Sequence, residues 1–167
     1  VAVLASRYLS KRLGETFPSL PAGADGEPRM HEFILTLTAE DFRRIEAAGV
    51  TKTDIVPSLG KLFLDFGFHA PTIAWPEQYG FMVEPTESFT KAELDRFAEA
   101  VEAIGELVRE TPAILKRAPY FTPVARIDEV AANRKPTLSG PLDPLPELHD
   151  ERFPLATIRK LSVAEIA

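Results

Sequence analysis

The sequence predicts an α+β fold, a small antiparallel or mixed sheet with helices packed on one face. Three observations carry this. The apolar pattern changes period along the chain, from about 3.6 to 2 and back. The stretches of helical period are bounded by residues that start and stop helices. The extended stretches are short, apolar and fenced by proline.

Val3, Leu4 and Tyr8 recur at helical spacing, with Leu9 and Leu13 behind them, so a helix is expected over 1–14. Residues 18–28 hold three prolines and two glycines and read as loop. His31–Thr38 is β-branched and alternating: Phe33, Leu35 and Leu37 oppose Ile34 and Thr36. Thr38 with Asp41 three residues on then starts a helix whose apolar face is Phe42 and Ile45, stopped by Gly49. From Asp54 a further helix places Ile55, Leu59, Leu62, Phe63 and Phe66 on one side and ends at Gly67. Pro57 is tolerable there if it falls in the first turn, whose N–H groups are unpaired. Two extended segments, Thr72–Trp75 and Phe81–Glu84, follow as a hairpin or neighbouring strands.

The clearest helix comes next. Thr90 and Glu93 form a capping box. Leu94, Phe97, Val101, Ile104 and Val108 continue as one apolar stripe. Burying five such side chains at about 1.5–3 kcal/mol each makes this helix a main support of the core. Beyond Thr111, residues 126–134 suit one more short helix, and the tail from Lys135 reads as extended chain over a surface. The organisation expected is a connector helix over 1–15, an α+β domain over 16–119 and a proline-rich arm over 120–167.

Composition bounds the function. The 167 residues are 45% apolar and 26% charged, typical of one soluble domain. The net charge of −6 argues against a nucleic-acid partner, since an acidic chain repels phosphates. No apolar run approaches the roughly 20 residues that span a bilayer. The absence of cysteine removes disulfides, thiolate metal sites and cysteine nucleophiles, and suits the cytoplasm. The chain opens VAVLASRYLSKRL, without Met and already in helical rhythm, which reads as a cut through a longer protein.

No phosphate-binding glycine loop, nucleophile elbow or paired histidine is present. His31 and Glu32 are neighbours in a strand and point to opposite faces. None of the seven lysines stands in a context that marks it as an imine-forming residue. His69 sits where a helix ends and a strand begins, either bonded to nearby backbone or facing a site. Glu84, Thr86 and Glu87 cluster in a tight non-helical turn, either as local caps or as cleft-facing groups. Arg126 suits a carboxylate, which its fork matches bidentately; the plainer reading is an ion pair with Asp128 or Glu129.

The words of the sequence add to this. AVLASRYLSKRL, MHEFILTLT, FLDFGFHAPTIAWP, MVEPTESFTKAELDRFAEAVEAI and TPVARIDEVAANRKP cover most of residues 2–136. Together they resemble the C-terminal region of the glycine cleavage system P-protein, the pyridoxal-phosphate-dependent glycine dehydrogenase (decarboxylating). The run through 117–136 is similar to the second subunit of the two-subunit bacterial form.

The resemblance implies the small domain of a fold-type I pyridoxal-phosphate enzyme. It implies an enzyme that decarboxylates glycine and passes the aminomethyl group to the lipoyl arm of H-protein. The first subunit and H-protein are the implied partners, in an oligomeric enzyme. The cofactor lysine of that family lies upstream of the matched region. This chain alone is therefore expected to bind no cofactor and to be inactive. His69 and Thr72, then Glu84, Thr86 and Glu87, are the expected cleft-facing residues, with Arg126 as a carboxylate holder. Two alternatives stay open: the small domain of an aminotransferase or cysteine desulfurase, and a non-catalytic interaction module whose tail docks a partner.

Overall fold

The structure, a computed structural model, describes residues 1–20, 30–73, 79–136, 138–140 and 152–167. Trp75, at the end of the extended segment expected over Thr72–Trp75, and His149 lie outside the described residues, as does most of the 18–28 loop.

The described elements follow the expected order except at Ser19 and Leu20, expected as loop, which form a short strand by pairing with Leu35 and Ile34. They are α1 (Ala2–Leu13), β1 (Ser19–Leu20), β2 (Phe33–Thr36), α2 (Ala39–Ala47), α3 (Lys52–Asp65), β3 (Thr72–Ile73), β4 (Gly80–Val83) and α4 (Lys91–Glu110). A 3₁₀ turn over Pro112–Lys116 follows, then α5 (Glu129–Arg134), α6 (Leu155–Ile158) and α7 (Val163–Ile166). The sheet is antiparallel throughout, in the order β1-β2-β4-β3. Phe33 pairs with Val83 and Leu35 with Phe81 across β2 and β4. All four are buried on the covered face, while Ile34 and Met82 face the other way and are half-buried. Phe63 of α3 meets Phe81 edge-on at 5.7 Å, joining helix layer to sheet.

The starts of α2 and α4 are fixed as the sequence dictates. Thr38 Oγ1 accepts from Asp41 N at 3.0 Å and Thr90 Oγ1 from Glu93 N at 3.3 Å, and each carboxylate returns a bond to its cap residue's backbone. Gly49 and Gly67, after α2 and α3, have φ of 82° and 80°, the left-handed region that side chains disfavour. The stripe on α4 is buried at Leu94, Val101, Ile104 and Val108, with Phe97 only half-buried.

Three further features differ from the sequence reading. First, α3 starts at Lys52 rather than Asp54, so Pro57 lies in the second turn and not the first. The carbonyl it leaves without an intrahelical donor belongs to Thr53; Thr53 and Pro57 are both exposed, so water reaches it. Second, α4 carries Ala98, Ala100 and Gly105 fully inside as well as its large residues. Third, the last described residues are not simply extended. They form α6 and α7, and Ile158 and Ile166 are buried. Helices of one turn leave no period to read; these are held by tertiary bonds. Arg96 donates to Leu161 O at 2.7 Å and to Phe66 O at 3.1 Å, and Phe153 N donates to Phe121 O at 2.8 Å.

Gly105 marks a close approach. A Cβ there would lie 2.6 Å from Thr16 Cγ2 and 3.4 Å from Phe17 Cζ. The turn holding Thr16 cannot retreat freely, because Arg109 donates to Thr16 O and stacks on Phe17 at 5.5 Å. Overpacking costs about 1–3 kcal/mol, against a helix-propensity gain of about 1 kcal/mol for Gly→Ala. Gly105→Ala is expected to be a net loss on the order of 1 kcal/mol, read as a lower urea midpoint with unchanged slope.

Candidate functional site

The hairpin-like pairing of β3 with β4 builds one wall of a surface cavity. Thr72 stands opposite Met82, which brings the end of G-F-H-A-P-T beside the start of E-P-T-E-S. The N-terminal half of α4 supplies the other wall through Glu93, Leu94 and Phe97. The cavity has a volume of about 500 Å³. Its polar groups are His69, Thr72, Glu84 and Glu93, set among Phe68, Phe89 and other apolar side chains. A concave, mostly apolar space with a few polar groups is the ordinary form of a small-molecule or side-chain site.

The chemistry of each polar group follows from its bonds. His69 is exposed, and its Nδ1 lies 3.0 Å from the carbonyl oxygen of Ala70. A carbonyl only accepts, so Nδ1 is the donor in this bond, and a ring protonated there alone keeps Nε2 as an acceptor. Glu93 is committed to its helix cap: Thr90 N and Oγ1 donate to Oε2 at 2.7 and 2.8 Å. These bonds favour the charged form, with the Thr90 backbone N–H foremost, and hold its carboxyl below the usual range. Glu84 Oε1 lies 3.6 Å from His31 Nε2 across β2 and β4, both side chains half-exposed. His31 was set aside on sequence grounds; strand pairing, which spacing does not reveal, brings it to Glu84.

The expected residues thus divide. His69, Thr72 and Glu84 line one cavity. Thr86 and Glu87 do not line it: both are exposed on the adjoining turn, where Thr86 Oγ1 accepts from Ser88 N at 3.3 Å. Arg126 is elsewhere. Its guanidinium donates to Ala118 O at 3.1 Å, Leu115 O at 2.7 Å and Ser58 Oγ at 2.8 Å, fastening the chain after the 3₁₀ turn to α3. Neither Asp128 nor Glu129 pairs with it: Asp128 caps α5 and Glu129 pairs with Lys61 at 2.8 Å. Nothing in the residue pattern marks Leu94, Phe89 and Phe97 as cavity walls, since their helical or loop positions read equally as core.

Comparison with known proteins decides the family. The model of the glycine dehydrogenase C-terminal domain matches residues 1–118. The chain belongs to this family. It is 40% identical over 138 residues to a protein of Kosmotoga olearia named a probable glycine dehydrogenase (decarboxylating) subunit 2, covering 81% of this chain and 26% of that protein. It is 40% identical over 142 residues to the Pyrococcus horikoshii protein of the same name, covering 83% and 26%. A glycine dehydrogenase (decarboxylating) of a Synechococcus strain is 46% identical over 129 residues, covering 72% of this chain and 12% of that protein. The chain therefore spans about a quarter of the length of its two-subunit relatives.

The glycine dehydrogenase family implies pyridoxal phosphate, and the cavity does not fit it. The described residues lining it include no lysine to form an imine and no arginine or lysine for the phosphate, and two carboxylates would repel it. Lys91, close by on α4, is unsuited as well. Asp95 Oδ2 accepts from its ammonium at 2.6 Å, which raises its proton affinity, the reverse of what an imine-forming amine needs. Among the described residues no cluster of His, Asp and Glu could hold a metal ion, and no helix is long and apolar enough to cross a membrane.

Proposed function

We propose that this chain is the C-terminal part of a cytoplasmic glycine dehydrogenase (decarboxylating) of the two-subunit type, and that by itself it is catalytically inert. The match over residues 1–118 carries this reading. In the whole enzyme the cofactor is held by the part of the protein outside the matched quarter, where the phosphate and imine contacts missing here are supplied. A companion subunit and a lipoylated carrier protein complete the system.

The contribution of this chain is a wall. Phe68, Phe89, Phe97 and Leu94 present an apolar surface that excludes water where it closes on a cleft, and a dry cleft favours loss of a carboxylate. His69 offers Nε2 as an acceptor at the rim, and Thr72 and Glu84 stand beside it. Thr86 and Glu87 stand outside it, on the exposed turn that follows Glu84. Arg126 is a positioning residue that holds the 3₁₀ turn against α3.

The test compares the complete two-subunit enzyme with this chain alone. The complete enzyme is expected to release CO2 from glycine in the presence of lipoylated carrier, and the chain alone is expected to release none. Pyridoxal phosphate added to the chain alone should leave the spectrum of the free cofactor unchanged. A stoichiometric shift to the visible band of a protein-bound imine would overturn the inertness. A complete enzyme that forms but leaves glycine intact would overturn the activity.

A further inference from the structure

The cavity wall begins where α3 ends. Phe66 closes that helix, Gly67 follows at φ 80°, and Phe68 and His69 then line the cavity. Local bonds shape the turn as far as the Phe68 backbone: Gly67 N donates to Leu64 O at 3.0 Å and Phe68 N to Phe63 O at 2.9 Å. The placing of the Phe68 ring comes from elsewhere in the chain.

Arg96 is the residue that reaches it. It is half-buried on α4, between the wall residues Leu94 and Phe97 in sequence. Its Nη2 donates to Phe66 O at 3.1 Å and its Cζ lies 5.6 Å from the centre of the Phe68 ring. Phe97 meets the same ring edge-on at 5.5 Å. Nη1 of Arg96 donates in the other direction, to Leu161 O of the tail at 2.7 Å. Among the described residues no carboxylate forms an ion pair with Arg96. A guanidinium that spends its donors on main-chain carbonyls fixes the path of the chain.

The tail supports the same turn by packing. Ile158 is fully buried, and a Cβ placed on Gly67 would lie 3.6 Å from Ile158 Cγ2 and 3.5 Å from Arg159 Cγ. Leu161 N donates to Ile158 O at 3.2 Å, so the residue behind Gly67 and the carbonyl held by Arg96 belong to one turn.

We propose that Arg96 is a positioning residue for the reaction of glycine, holding the wall of Phe68 and His69 in place through Phe66 O, Leu161 O and the Phe68 ring. This rests on the reading of that wall as one side of the cleft, and it adds the side chain that sets the wall's place. A wall that excludes water acts on loss of the carboxylate and not on capture of glycine. Its displacement therefore belongs in kcat and not in KM.

The test uses the complete two-subunit enzyme, with rates counted per cofactor-bearing site so that unfolded protein does not enter. Arg96→Met keeps an unbranched stem and removes every donor. It is expected to lower kcat for CO2 release from glycine about fivefold to tenfold, with KM for glycine within about twofold. Arg96→Lys keeps the charge without the fork and should lose nearly as much. In a Phe68→Leu background, itself slowed, Arg96→Met should cost less than about twofold more, because losses that pass through one wall do not add. If Arg96→Met fails to assemble, Ile158→Ala carries the test, with an expected kcat loss of about twofold to threefold that is likewise absorbed by Phe68→Leu. Unchanged kcat, full rescue by lysine, additive losses or a change confined to KM would each overturn the proposal, with wild type still releasing CO2 from glycine. A complete wild-type enzyme that leaves glycine intact would overturn the reading beneath it instead.

Discussion

Replacing Ile104 with alanine is expected to lower stability by about 2–5 kcal/mol, the largest effect of any single truncation on α4. Ile104 is 1% exposed and sits where α4 faces the sheet across Leu35 and Phe81 and touches the level of Leu59 and Phe63 of α3. A void of about 20 Å³ already lies among these side chains. The truncation therefore enlarges an existing gap rather than opening an isolated one, and the neighbours cannot collapse from both layers at once. Urea denaturation should show the midpoint shift. A loss below about 1 kcal/mol would mean that the stripe on α4 is not the axis of the core.

Asp65→Ala is expected to cost about 3 kcal/mol, although it removes no apolar contact. Asp65 is 2% exposed at the end of α3. Its carboxyl oxygens accept from Tyr120 N at 2.8 and 2.9 Å and from Phe121 N at 2.7 Å. Alanine leaves both N–H groups without an acceptor beneath the tail, where Phe153 and Arg152 hold the carbonyls of Phe121 and Thr122. Burial pushes the Asp65 carboxyl above its ordinary value, outweighing the backbone donors that pull it down. The folded state then releases this proton at higher pH than the unfolded chain does. The stabilisation from Asp65 is fully present below the ordinary carboxylate value and diminishes as pH rises through the raised one. The gap between wild type and Asp65→Ala should accordingly narrow as pH rises across that window, as paired urea titrations would show.

The elements most legible in the sequence were those with local causes. The capping boxes at Thr38 and Thr90 and the stripe from Leu94 to Val108 are contained within a few turns of chain, and each appears where the spacing puts it. Bonds between distant residues left no local mark. Asp65 reads as one polar residue at a helix end, and only the fold brings Tyr120 above it. Gly105 reads as a mild defect in a helix until Thr16 is laid against it. The site was legible in the same proportion. His69, Thr72 and Glu84 come together because β3 and β4 are close in sequence and pair antiparallel. Arg126 was read for its charge; its place is decided by three acceptors, of which the nearest in sequence is eight residues away.

The bonds of Arg96 have a mechanical meaning. A guanidinium is flat, and its edge can serve the carbonyls of Phe66 and Leu161 together only in one orientation. In that orientation its face lies 5.6 Å from the ring of Phe68, a wall of the cavity. The tail and the cavity wall thus meet on one rigid plate, the tail at its edge and the wall at its face. The last residues and the aromatic surface beside His69 therefore share one side chain as a direct link, apart from the backbone between them.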